Sequence, residues 1–232
     1  VKNTENSKLV TDIKANNSQL GGATIIGDCL ASFTQAITPQ DRQDIENALL
    51  YAEMEASTQY DRKKAGKQWF IKYCTALVDI NFAPRSMVTR KPLVVSNTRE
   101  LREQTVYIVG RESPRLAQLV NQTYGALGLD EFAKDFFKGN SIEGTAGLMR
   151  VAPCEVIDPN TVSMFLCAMH YETNTTYKDY FFWEEITRRV EIVPDGGQFV
   201  FDRNKFNVYR EPVRRKIAEH QNSYLRRLDI RN

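Results

Sequence analysis

The chain has 232 residues, with 31 Lys+Arg against 29 Asp+Glu. It is long enough to bury a core without staples, and its balanced charge gives no sign of a nucleic-acid partner. Four widely spaced cysteines without a C-x-x-C pair, and only two histidines, argue against a disulfide framework and against a zinc site. Its longest apolar stretch is about ten residues, where a membrane-spanning helix needs roughly 20.

Residues 1–22 are polar and rich in Asn, Ser, Thr and Lys, which predicts a mobile arm or a partner-binding segment. Ala23 to Ile37 carries Ile25, Ile26, Leu30, Phe33 and Ile37, a weakly amphipathic helical pattern. Thr38-Pro39-Gln40-Asp41 is the clearest helix start: an N-cap, a proline at the first helical position and an acid in the first turn. Ile45, Leu49, Ala52 and Ala56 continue that helix to a stop near Ser57 to Asp61. A second helix from Lys64 to Ile80 has a wide apolar face bearing Trp69, Phe70, Tyr73, Cys74, Leu77 and Val78. Asn81 to Pro92 reads as a linker, Leu93 to Ser96 as a short strand, and Thr98 as the start of a helix reaching Val109. Ser113-Pro114 repeats the cap-then-proline signal, and Asp130 opens a short helix with Phe132, Phe136 and Phe137.

The period then changes. Gly147 to Ile157, Thr161 to Thr173, Tyr177 to Val193 and Gln198 to Phe201 read as strands, with turns at Asp158-Pro159-Asn160, Asn174-Thr175-Thr176 and Asp195-Gly196-Gly197. A last helix covers Asn207 to Leu228, with Pro212 expected in its first turn. Its surplus of arginines suits either a solvated face or an anionic surface. This order describes an α+β fold: a helical part (23–140), an antiparallel sheet of about four strands (141–204) and a C-terminal helix (205–228), all in a single compact domain (23–232).

Thr161 to Tyr171 is apolar in both strand parities. Val162, Met164, Leu166 and Ala168 form one set, and Phe165, Cys167, Met169 and Tyr171 the other. That is the pattern of a strand covered on both faces, here by the helical half on one side and the last helix on the other. The same parity turns His170 away from Cys167, which argues against a thiol–imidazole dyad between them. A cysteine in such a strand is either inert packing or a shielded acyl acceptor, and no catalytic residue is identified. An acyl chain would find apolar surroundings among Trp69, Phe70, Phe132, Phe136, Met164 and Leu166. Core packing accounts for the same residues without a ligand.

Three stretches together resemble a family of small bacterial proteins named for the Erwinia virulence factor, Evf. They are the helical segment Leu49 to Phe82, the strand pair MRVAPCEVIDPNTVSMFLCAMHYETNT (Met149 to Thr175) and the terminal YLRRLDI (Tyr224 to Ile230). The resemblance implies palmitate, or a similar long-chain acyl group, attached as a thioester to a core cysteine, with no metal. It also implies a virulence setting and a lipid membrane or an acyl donor as partner, with no nucleic acid. Cys154, after Ala152-Pro153, holds the position that resembles the family's, while Cys167 is favoured by its buried strand. An acyltransferase passing through a transient acyl-cysteine, and a membrane-active toxin without covalent lipid, are the alternatives. The N-terminus has no charged-then-apolar leader, so the expected location is the bacterial cytoplasm, or release without a recognisable signal peptide, with membrane association.

Overall fold

The computed structural model describes residues 10–13, 20–62, 64–96, 98–143, 146–172 and 190–229. Side-chain surroundings are described for these except 10–20, 98, 136, 138–143, 146, 172 and 221–229. In chain order the elements are β1 (Val10–Ile13), β2 (Leu20–Ile26), β3 (Cys29–Thr34), α1 (Pro39–Gln59), α2 (Gly66–Asp79), β4 (Ala83–Pro84) and β5 (Leu93–Val95). There follow α3 (Thr98–Gly110), α4 (Pro114–Leu129), α5 (Glu131–Ser141), β6 (Ile142–Glu143), β7 (Ala146–Asp158), β8 (Thr161–Glu172), β9 (Val190–Asp202) and α6 (Arg203–Asp229).

The local helix signals act as expected. Thr38 Oγ1 accepts from the Asp41 amide at 3.1 Å while the Asp41 carboxylate accepts from the Thr38 amide at 3.0 Å, a reciprocal capping box ahead of Pro39. Ser113 caps α4 through the Leu116 amide at 3.2 Å, and Asp130 caps α5 through the Ala133 amide at 2.9 Å. The last helix begins four residues earlier than expected, because Asp202 caps it through the amides of Asn204 and Lys205. Pro212 therefore lies inside α6 rather than in its first turn. It is tolerated because Val208, one turn before it, is exposed, so the carbonyl that loses its donor can meet water.

The fold is mixed α and β, as expected, but the sheet is wider than a four-stranded meander. Its order is β1-β2-β3-β7-β8-β9-β4, with β5 also against β9 and β6 against β7. The pair β3–β7 is parallel. Ala23 to Ile37 is not a helix: it is the β2–β3 hairpin, turning at Gly27-Asp28. Its apolar residues occupy both parities because the sheet is covered on both faces, and that scatter imitates a helical stripe. Within the polar segment 1–22, Val10–Ile13 and the start of β2 are strand.

Asp195-Gly196-Gly197 is not a turn but the middle of β9, opposite Ala168, Cys167 and Leu166. Both glycines have positive φ, +109° and +159°. A Cβ on Gly196 would lie 2.1 Å from the Leu166 carbonyl oxygen, and one on Gly197 1.9 Å from that of Ser86. The glycines thus let the segment after β4 approach closely, where the amides of Arg85 and Val88 donate to the carbonyls of Gln198 and Gly196, both at 2.8 Å. Residues 177–189, expected as part of a strand, and the turn at 174–176 lie outside the described residues.

The sheet is the middle of three layers. Ile26, Cys29, Leu148, Cys154, Met164, Leu166 and Phe201 pack under α1, α2 and α6. Ile25, Leu30, Met149, Val151, Phe165, Cys167 and Met169 pack under α3, α4 and α5. The two parities of β8 separate as its sequence requires. The helical half does not stay together on one face, however. It divides at the Pro84–Pro92 linker, which rounds the β9 edge of the sheet and carries the chain from one layer to the other.

Candidate functional site

Cys154 and Cys167 are both completely buried, but on opposite faces of the sheet, so they cannot share a pocket. Cys154 Sγ donates to the Ala152 carbonyl at 3.3 Å. Burial pushes its thiol well above the ordinary range, and pushes that of Cys167 up to about 12. Neither is a resting thiolate. Phe70, Met164 and Leu166 share the cluster that holds Cys154. Phe132 does not: it is 70% exposed on α5, in the other helical layer, where it can line no buried slot. The Phe136 side chain lies outside the described residues.

Trp69 is buried in the Cys154 cluster too, but its ring faces charge. The Arg150 guanidinium lies 5.0 Å from the ring centre and that of Arg62 5.6 Å, while Trp69 Nε1 donates to Ser57 Oγ at 3.0 Å. Trp69 therefore belongs to an ion network absent from the sequence reading. Arg150, fully buried on β7, donates from Nε to Asp28 Oδ1 at 2.6 Å and from Nη2 to the same oxygen and to Glu53. Arg62 Nη1 lies 3.1 Å from Asp28 Oδ2 and 3.0 Å from Glu53 Oε1. The Tyr73 ring covers the Arg150 guanidinium at 4.4 Å. Burial pushes the Asp28 carboxyl above its ordinary value, although Arg150 and Arg62 pull it down. The available signal was an arginine in strand parity with Leu148, Ala152 and Cys154, an inward-pointing charge that demands a partner.

His170 is on the Cys154 face, its ring edge-on to Phe70 at 5.3 Å. Register pairs it with Leu148, whereas Cys154 pairs with Met164. Six strand positions, roughly 20 Å, separate the two, so they form no dyad either. His170 Nε2 is buried 3.9 Å from Asp195 Oδ2 and has no hydrogen-bond partner among the described residues. Burial lowers its basicity, and the nearby Asp195 only partly restores it. His170 opens onto a cleft of about 480 Å³ formed where β7 and β9 begin, β8 ends and α2 starts. Arg62, Lys64, Lys67 and Arg90 contribute positive charge to its walls, against Glu191 and Asp195.

Two arginines of the basic last helix are committed to acids of α1. Arg203 grips both Asp41 oxygens at 2.8 Å, and Arg210 grips those of Asp44 at 2.8 and 2.7 Å. Among the described residues no group of three or more His, Cys, Asp or Glu side chains is placed to hold a metal ion, and no helix is long and apolar enough to cross a membrane.

No protein-family model matches the chain, and no curated protein matches its sequence. A solved structure described as a delta-endotoxin matches with a TM-score of 0.48 at 12% identity, covering 77% of this chain and 84% of that one.

Proposed function

We propose that this is a lipid-linked protein in which Cys154 carries a long-chain acyl group, palmitate or similar, as a thioester. The observation that supports it is the placement of Cys154: fully buried, in one cluster with Phe70, Met164 and Leu166 under α1 and α2. A thioester there is shielded from hydrolysis, and a palmitoyl tail gains roughly 0.8 kcal/mol for each buried CH₂. In the transfer step the Cys154 sulfur attacks the carbonyl of an acyl-thioester donor. The new C–S bond replaces the donor's, and the Cys154 proton leaves with the donor thiol. Because the thiol is buried and protonated in the closed fold, transfer takes place before α1 and α2 seat on the sheet, or when they open. The virulence setting, the membrane partner and the bacterial location come with the Evf resemblance and are part of the same proposal.

Intact mass before and after neutral hydroxylamine, on protein from its native host, tests the reading. A mass loss matching a long acyl chain, abolished by Cys154→Ser and retained in Cys167→Ser, is expected. An unchanged mass overturns it. Turnover of a long-chain acyl-thioester, lost with Cys154→Ser, would instead identify the acyltransferase.

A membrane-active protein without covalent lipid is the second reading. It is favoured by the corner between α4 and α5, where Leu129 is 90% and Phe132 70% exposed. Liposome co-sedimentation that survives both Cys→Ser changes but fails in Leu129→Asp/Phe132→Asp would select it.

A further inference from the structure

We propose that the cleft at the start of α2 binds a phosphate ester of a hydroxyl-rich small molecule. Four cationic side chains from three segments converge on it: Arg62 and Lys64 from the α1–α2 connection, Lys67 from α2, and Arg90 from the segment before β5. They outnumber the two carboxylates in the lining, Glu191 and Asp195. Their commitments differ. Arg62 is held by Asp28 and Glu53, and Arg90 by Asp195 at 2.8 Å. Lys64 and Lys67 have no carboxylate within salt-bridge distance among the described residues, and both are exposed. These two ammonium groups sit at the positive end of α2, where like charge is unfavourable without an anion. A dianionic phosphate removes that repulsion and accepts hydrogen bonds from both.

The rest of the cleft suits the remainder of such a ligand. Its volume, about 480 Å³, exceeds what a bare phosphate needs and falls in the range of small-molecule sites. Leu148, Tyr171 and Val193 provide apolar wall, while Glu191 can accept from hydroxyl groups. His170, whose buried Nε2 lies 3.9 Å from Asp195 Oδ2 and makes no hydrogen bond among the described residues, lines the same space. Two sources share this chemistry: a free polyol phosphate, or the headgroup of an inositol phospholipid. The inference does not depend on acylation of Cys154, which lies six strand positions away from His170.

The test uses the full chain and its Lys64→Glu/Lys67→Glu variant. Both positions are exposed, and an acid at position 67, in the first turn, favours the helix, so the variant should fold, as circular dichroism would verify. Calorimetry with inositol 1-phosphate and glycerol 3-phosphate probes the free ester. Phosphatidylcholine vesicles with and without phosphatidylinositol probe the headgroup. Saturable binding in either arm, weakened about tenfold or more by the double variant, is expected, from the loss of two charge-assisted contacts. Binding in the first arm assigns a soluble ligand; binding in the second arm alone assigns a headgroup. No saturable binding in either arm, or binding that the variant leaves unchanged, overturns the proposal.

Discussion

Replacing Arg150 by Met should cost far more than the loss of one surface ion pair. The guanidinium is fully buried, holds the fully buried Asp28 through two nitrogens, and is covered by the Trp69 and Tyr73 rings. Met fills much of the same volume but leaves the Asp28 charge in a water-poor site. Breaking one side of a buried pair costs about 3–5 kcal/mol. Arg62, 3.1 Å from Asp28 Oδ2, remains as a partial partner, so a loss near the lower limit, about 3 kcal/mol, is expected. In a chain of this length that corresponds to a fall in Tm of roughly 6–12 °C.

The deficit should depend on pH. The Asp28 carboxyl is already raised above 3.8 by burial in the intact protein. A raised folded-state value gives a contribution that is fully present below the unfolded value and lost as pH rises through the folded one. Removing Arg150 raises the folded value further. Urea unfolding should therefore show a larger deficit at about pH 8 than at about pH 5. Adding Asp28→Asn removes the stranded charge and should recover a substantial part of the loss at the higher pH. A deficit under about 1 kcal/mol, one equal at both pH values, or no recovery in the double variant would refute the account of Asp28 and Arg150 as a coupled buried pair.

Two further outcomes follow from the sheet and its edges. Gly196→Ala should destabilise by more than about 3 kcal/mol, because positive-φ strain adds to an overlap with the Leu166 carbonyl, a backbone atom that cannot rotate away; chemical denaturation would measure it, and a change under about 1 kcal/mol would contradict the close approach. Asp41→Asn tests the joint between α1 and α6. Burial opposes the Asp41 charge, but hydrogen bonds from Arg203 and Thr38 outweigh it and hold the carboxyl below its ordinary value of 3.8. Its contribution is present above 3.8 and lost as pH falls through the lower folded value, so the gap between Asp41→Asn and the parent should close in acid. A gap independent of pH in urea titrations would show that the Arg203 contact adds nothing through charge.

What the sequence by itself determined was local. Thr38-Pro39 and Ser113-Pro114 start helices because each cap acts within four residues, independently of the remaining chain. The two-sided apolarity of Thr161 to Tyr171 required helices on both faces, since each strand parity must bury its own stripe, and it correctly turned His170 away from Cys167. It could not say which helices cover which face. The tertiary structure alone decided that α1, α2 and α6 lie on one side, that β3 enters in parallel beside β7, and that Cys154 and Cys167 face apart. The same holds for both charged sites. Asp28 and Arg150 are 122 residues apart, and the cleft draws on four elements and two connecting segments. No short-range spacing encodes such meetings; they arise when burial of the sheet forces a few inward-pointing charges to find one another. Gly196 and Gly197 show the converse limit. Their composition reads as a turn, and only the chain passing beside them makes them a place of close approach within a strand.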